Sequence, residues 1–160
     1  MSAAPNKYIE HITEIDAPIE EVWSAIIDIK DWSWNKWTRL EADAEPAKGV
    51  KGKLLASFDG NDEWKTFDFE FGEIDPESRV FTWLGNVGPG GCLFHGYHTM
   101  RLEVIDKEEV TASTCTRLIH TETFRGVLPL FRMGLPFKKI DRNYLLMNEN
   151  LKEFIEGIDS

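Results

Sequence analysis

The chain has 160 residues, 42% of them hydrophobic and 12% aromatic, a length that fits one domain and an apolar fraction too high for a disordered chain. Its 18 Lys+Arg against 28 Asp+Glu give a formal net charge of -10, which phosphate backbones and anionic lipid surfaces repel, so nucleic-acid and peripheral-membrane roles start disfavoured. Two cysteines, Cys92 and Cys115, exclude a disulfide scaffold, and neither sits in a CxxC pair of the kind that builds a structural zinc site. No apolar run reaches signal-peptide or membrane-span length, so the expectation is a cytoplasmic protein without integral membrane association.

Residues 1–6 read as a loose tail. Residues 8–15 alternate, with Ile9, His11, Thr13 and Ile15 on one face and Glu10 and Glu14 on the other, the pattern of a strand with one wet side. Asp16-Ala-Pro18 ends it and starts a helix over 19–28 with Val22, Trp23, Ile26 and Ile27 as its apolar stripe. Residues 31–37 form a second short helical turn dense in tryptophan. From about residue 50 the pattern turns to strands: 52–58, 64–74, 80–86, 93–105 and 110–124, separated by turn signals such as Asp59-Gly60-Asn61-Asp62 and Asp75-Pro76. Residues 137–156 carry the clearest helix, with Ile140, Tyr144, Met147, Leu151, Phe154 and Ile155 at helical spacing. The order is strand, two short helices, a run of antiparallel strands and one long helix. That is an α+β plan in a single domain with its core at about residues 8–157, and the long helix is the element able to cover the sheet.

Six segments taken in order resemble the helix-grip superfamily called SRPBCC, which includes START-like and polyketide cyclase/dehydrase-like proteins. They are Ile15-Asp-Ala-Pro18 with Val22-Trp23; Trp34-Asn35, followed here by Lys36 where the family commonly has Pro; Phe81-Thr-Trp83; Gly96-Tyr-His98-Thr-Met100-Arg-Leu102; Thr116 to Leu128; and Met147-Asn148 with Leu151-Lys152. The resemblance implies a curved antiparallel sheet of about seven strands wrapped round the C-terminal helix. It also implies a cavity between them for an apolar or amphipathic small molecule. It implies no metal and no redox cofactor.

The hairpin 93–124 holds the sharpest chemical feature. With a turn near residues 107 and 108, His98 faces Arg117 or Leu118, and His98, His120 and Glu122 fall together on inward, otherwise apolar faces. Such groups need hydrogen-bond partners. Three readings stay open: a polar network that shapes the cavity, polar contacts that orient a ligand, or general acid–base catalysis by a carboxyl and imidazoles. Binding of an apolar or aromatic small molecule is the first functional reading. A cyclase, dehydratase or isomerase using His98, His120 and Glu122 is the alternative. Trp34, Phe69, Phe71, Trp83, Met100, Leu118, Tyr144 and Met147 are the candidate ligand-facing residues.

Two histidines and a carboxylate also invite a metal reading, the least favoured one, in which His11 on an inward-looking face is the possible extra ligand, while His95 falls on the face opposite His98. Trp32, Trp34 and Trp37 are either an aromatic rim or a plug under the sheet. Gly88-Pro-Gly-Gly91 lacks the Gly-Lys-Ser/Thr ending of a phosphate loop and reads as an entrance loop. The basic-apolar patch Arg125, Arg132, Lys138 and Lys139 reads as a solvated surface, with a partner surface as the alternative. Oligomeric state stays open, a dimer included.

Overall fold

The computed structural model describes residues 7–87, 94–105, 114–126 and 137–157. Its elements are β1 (Lys7–Ile15), α1 (Ile19–Ile27), a 3-10 turn (Ile29–Asp31), β2 (Thr38–Ala42), β3 (Lys51–Ala56), β4 (Lys65–Asp75), β5 (Val80–Val87), β6 (Phe94–Ile105), β7 (Cys115–Gly126) and α2 (Phe137–Glu156). The seven strands form one antiparallel sheet in the order β1-β7-β6-β5-β4-β3-β2. Every strand after β2 thus pairs with its predecessor in the chain, and β1 closes onto the last strand. No helix among the described residues is long and apolar enough to cross a membrane.

Period-two alternation sets which face of the sheet is buried. In β4, Phe69 and Phe71 point inward, and the register with β5 shifts between Phe71 and Ile74. In β5, Phe81 and Trp83 point inward; in β6, His98, Met100 and Leu102; in β7, Thr116, Leu118, His120, Glu122 and Phe124. Val104 continues the β6 series but lies 55% exposed near the strand end. The long helix α2 answers with Ile140, Asn143, Met147, Asn148 and Leu151 on its buried face. Phe154, expected on that stripe, is 49% exposed instead.

The core is aromatic at one end. Trp32 packs against Trp34, Phe81 and Trp83 at centroid distances of 5.6, 6.4 and 5.8 Å, and Phe71 meets Phe69 and Phe81 at 5.0 and 5.6 Å. Such tilted and edge-on contacts add about 0.5–1.5 kcal/mol each beyond area burial. The crowded turn of tryptophans therefore divides. Trp32 and Trp34 are plugs under the sheet, whereas Trp37 is only partly buried and hydrogen-bonds Asn150 on α2.

Two expectations from sequence need correction. The strand β2 was absent from them, although Thr38 and Leu40 are buried and Arg39 and Glu41 exposed in clean alternation; five residues following a tryptophan-rich turn give too short a signal. The β6–β7 register also differs. His98 pairs with Glu122, not with Arg117 or Leu118, so the connection is centred near residue 110 rather than 107–108. Gly88–Gly91, Cys92 and, of the basic-apolar patch, Arg132 lie outside the described residues. Within them, Lys139 pairs with Asp59 at 2.6 Å.

Candidate functional site

The register places Glu122 of β7 between two neighbours, His98 of β6 on one side and Ile9 of β1 on the other. His120, two residues earlier on the same face, lies between Met100 and His11. His98, His120 and Glu122 are thus brought together by pairing alone, all three buried. His98 Nδ1 lies 3.4 Å from Glu122 Oε2. Its Nε2 is in hydrogen-bond contact with His120 Nε2. The other nitrogen of His120, Nδ1, meets Asn148 Oδ1 at 2.6 Å, and Asn148 Nδ2 donates to Thr13 Oγ1 at 3.2 Å. The chain of polar groups therefore runs from β7 through β6 and back to β7, then to α2 and β1.

Rings hold the chain in place. His98 stacks on Trp83 with centroids 3.9 Å apart and planes at 13°. The Tyr144 ring meets His98 edge-on at 4.7 Å, and its hydroxyl interacts electrostatically with the Glu122 carboxyl. Glu122 passes over Gly96 of β6, where a Cβ would overlap Oε1; only glycine leaves the carboxyl its position. The second oxygen, Oε2, is buried with no hydrogen-bond partner among the described residues. Such an atom is costly unless a ligand, a water or a proton satisfies it.

Burial dominates the electrostatics. It pushes the Glu122 carboxyl up to about 7, against smaller opposing effects of the Tyr144 hydroxyl and of His120. It pushes His98 down to about 3. His120 is driven well below its ordinary value by burial and by His98, partly opposed by its bond to Asn148. Tyr144 is raised by burial and by Glu122. At neutral pH the imidazoles are uncharged and the carboxyl is poised between its two forms. His11 stands apart at the surface side, its Nε2 donating to Asp141 Oδ1 at 2.8 Å and to Asp141 O at 2.9 Å.

Glu122 and His98 open onto a cavity of about 80 Å³ between the sheet and the N-terminal half of α2. That is well above the roughly 10–15 Å³ one water needs. Its wall is mostly apolar: Leu54, Phe67, Trp83, Phe124, Ile140 and the Tyr144 ring, with Trp37 and Phe58 at its β2–β3 side. Asn143 lines it too, donating its Nδ2 to Phe58 O at 3.0 Å.

Of the residues expected to face a ligand, Trp83 and Tyr144 line the cavity. Trp34, Phe69, Phe71, Met100, Leu118 and Met147 lie in the packed core cluster instead. Alternation gives a residue its face, but it does not give its position along the strand, and the cavity occupies one end of the sandwich. His120 sits one step behind His98, off the wall. Trp37, one of the three tryptophans offered as a rim or a plug, does line the cavity, whereas sequence reasoning missed the roles of Gly96, Asn143 and Asn148. The two asparagines had a legible signal, since both fall on the buried face of a helix whose other buried residues are apolar.

No family model and no curated protein sequence matches the chain. Solved structures do. The Zhui aromatase/cyclase from Streptomyces sp. R1128 matches with a TM-score of 0.73 at 17% identity, over 95% of this chain and 94% of that one. Ara h 8.0201 matches at 0.64 and 13%, over 96% and 99%. The norcoclaurine synthase of Thalictrum flavum, solved in complex with dopamine and hydroxybenzaldehyde, matches at 0.61 and 16%, over 98% and 90%. The chain has the helix-grip fold. At these identities the likeness carries the helix-grip architecture alone; what the site does rests on its own residues.

Proposed function

We propose that the protein binds a neutral aromatic or apolar small molecule in the cavity between the sheet and α2, with Glu122 and His98 as its polar contacts. The observation that carries this reading is the buried carboxyl of Glu122, a residue of the cavity lining, whose Oε2 has no hydrogen-bond partner among the described residues. A few placed polar groups in an apolar pocket fix a ligand's orientation while the walls supply most of the affinity. Helix-grip neighbours point the same way: one is named an aromatase/cyclase, and another was solved with two one-ring aromatic molecules.

A second reading has its own observation. A carboxyl held near 7 by burial, beside a tyrosine hydroxyl, has the proton affinity a general acid or base needs at neutral pH. Glu122 would then exchange a proton with the bound molecule, as a cyclisation, dehydration or isomerisation requires, with Tyr144 and His98 holding the carboxyl in place.

Native mass spectrometry of the protein as isolated, before and after organic extraction, tests the first reading. A retained small-molecule mass that extraction removes supports it. A clean mass that no apolar or aromatic compound shifts counts against it. Turnover that collapses in Glu122→Gln while the ligand still binds would favour the second.

A further inference from the structure

We propose that Asn148 is a positioning residue which, acting through His120 and His98, presents Glu122 to the cavity as a neutral hydrogen-bond donor, so that the site favours aromatic ligands bearing a carbonyl-type oxygen. The proposal rests on the binding reading above and gives its ligand a chemical class.

The argument follows the hydrogens. Asn148 turns its Nδ2 to Thr13 Oγ1 and its Oδ1 to His120 Nδ1. An amide oxygen only accepts, so His120 carries its hydrogen on Nδ1. A neutral imidazole has one N–H, which leaves His120 Nε2 a bare acceptor. That atom meets His98 Nε2, and two ring nitrogens bond only when one of them is protonated, so His98 carries its hydrogen on Nε2. His98 Nδ1 is then also bare, and it faces Glu122 Oε2 at 3.4 Å. Two lone pairs confront each other there if Glu122 is a carboxylate. A hydrogen on the carboxyl removes the conflict, and because its contact with His98 Nδ1 is long, a ligand acceptor in the cavity can compete for it.

The surroundings of Glu122 agree. The groups facing it are His98 from β6, His120 on its own strand, the Tyr144 hydroxyl from α2, and Ile9 from β1 with His11 two residues further along. None of the buried ones is a cation at neutral pH, because burial lowers both His98 and His120. Burial likewise favours the protonated carboxyl. Desolvated carboxylic acids that stay neutral and donate to a substrate carbonyl are a known catalytic and recognition device.

The test uses the whole chain and two probes of nearly equal shape, acetophenone and ethylbenzene, which differ by one carbonyl oxygen. Nitrogen-15 NMR of the histidines is expected to find hydrogen on Nδ1 of His120 and on Nε2 of His98, and the carboxyl carbon of Glu122 is expected to titrate near 7. Asn148→Asp keeps the acceptor but adds a charge that favours an imidazolium at His120. It should move the Glu122 midpoint down by a unit or more and weaken acetophenone about tenfold, while ethylbenzene changes less than about twofold. Thr13→Val, which frees the amide, should act in the same direction and guards against a folding failure of the aspartate variant.

Hydrogen on Nε2 of His120, or an ordinary carboxylate midpoint for Glu122, would overturn the proposal. So would equal losses of both probes in Asn148→Asp, with the cavity reading left standing. Binding of neither probe to the unmodified chain, with the histidine hydrogens as expected, would instead overturn the cavity reading and the ligand preference with it.

Discussion

His98 and Glu122 stand directly opposite each other on neighbouring strands, Nδ1 3.4 Å from Oε2, both buried, with Trp83 stacked beneath the imidazole. The pair makes the fold's stability depend on pH in a way that can be worked out. Glu122 is raised from 4.5 to about 7, so between those values the folded chain holds a proton the unfolded chain has lost, and this contribution falls as pH rises through the window. His98 is lowered from 6.5 to about 3 and His120 also falls well below 6.5. There the unfolded chain binds the protons, so their contribution is lost as pH falls. Two imidazoles outweigh one carboxyl where the windows overlap, so the site stabilises most near pH 6.5. Across its whole window, from 4.5 to about 7, the carboxyl's contribution amounts to on the order of 3 kcal/mol, of which only about 0.7 kcal/mol is lost above pH 6.5. Glu122→Gln should lack this upper decline, and urea unfolding from pH 5 to 9 reads the difference. Parallel curves for the two proteins would contradict the raised carboxyl.

Two glycines on the cavity wall should respond in opposite ways. A Cβ at Gly96 overlaps Glu122 Oε1, whereas one at Gly85 meets only Leu54 Cδ1 at an ordinary 3.7 Å. Gly96→Ala is expected to displace the carboxyl, costing about 1–3 kcal/mol and most of the ligand affinity. Gly85→Ala should change stability by less than about 0.5 kcal/mol. Thermal unfolding and ligand titration of both variants check this.

The two buried tryptophans of the 32–37 turn should also differ. Trp32 donates its Nε1 hydrogen to Ile26 O at 3.0 Å, while Trp34 Nε1 is buried without a partner among the described residues. Replacement by Phe therefore loses a satisfied hydrogen bond at Trp32 but relieves an unsatisfied donor at Trp34. Trp32→Phe should be the more destabilising by about 1–2 kcal/mol, measured by denaturant unfolding.

Asn35 anchors the entry to β2. Its Oδ1 accepts from the backbone N–H of Trp37 at 2.9 Å and of Thr38 at 3.0 Å. Asn35→Ala should cost about 1–2 kcal/mol, with Asn35→Asp recovering part of it because a carboxylate oxygen serves the same two donors. Hydrogen exchange at the amides of Trp37 and Thr38 gives the local readout, and unchanged protection would refute it.

The elements most legible in the sequence were those with long periodic signals. The helix 137–156 was read to the residue, and the inward faces of β6 and β7 placed His98, His120 and Glu122 together before their contacts were known. The register was harder, because the β6–β7 connection length decides it and a turn signal locates a turn only to within a few residues. A shift there changed His98's partner from Arg117 or Leu118 to Glu122 and so changed the chemistry of the pair. The cavity wall was harder still. Phe69, Phe71, Met100, Leu118 and Met147 share the inward face with Trp83, yet tight packing closes over them and the space lies further along, against Leu54, Phe124 and Asn143. Where packing leaves room depends on all the side chains at once.

The proposed function puts small aromatic molecules in the cavity at Glu122. The most direct measurement is NMR mapping of acetophenone titrated onto the full chain, following the ring and indole signals of the aromatic residues. Shifts and intermolecular contacts concentrated on Phe58, Trp83, Phe124 and Tyr144 are the predicted result. Shifts confined to the surface groove beside Trp32 and Arg39, or none at millimolar probe, would contradict it.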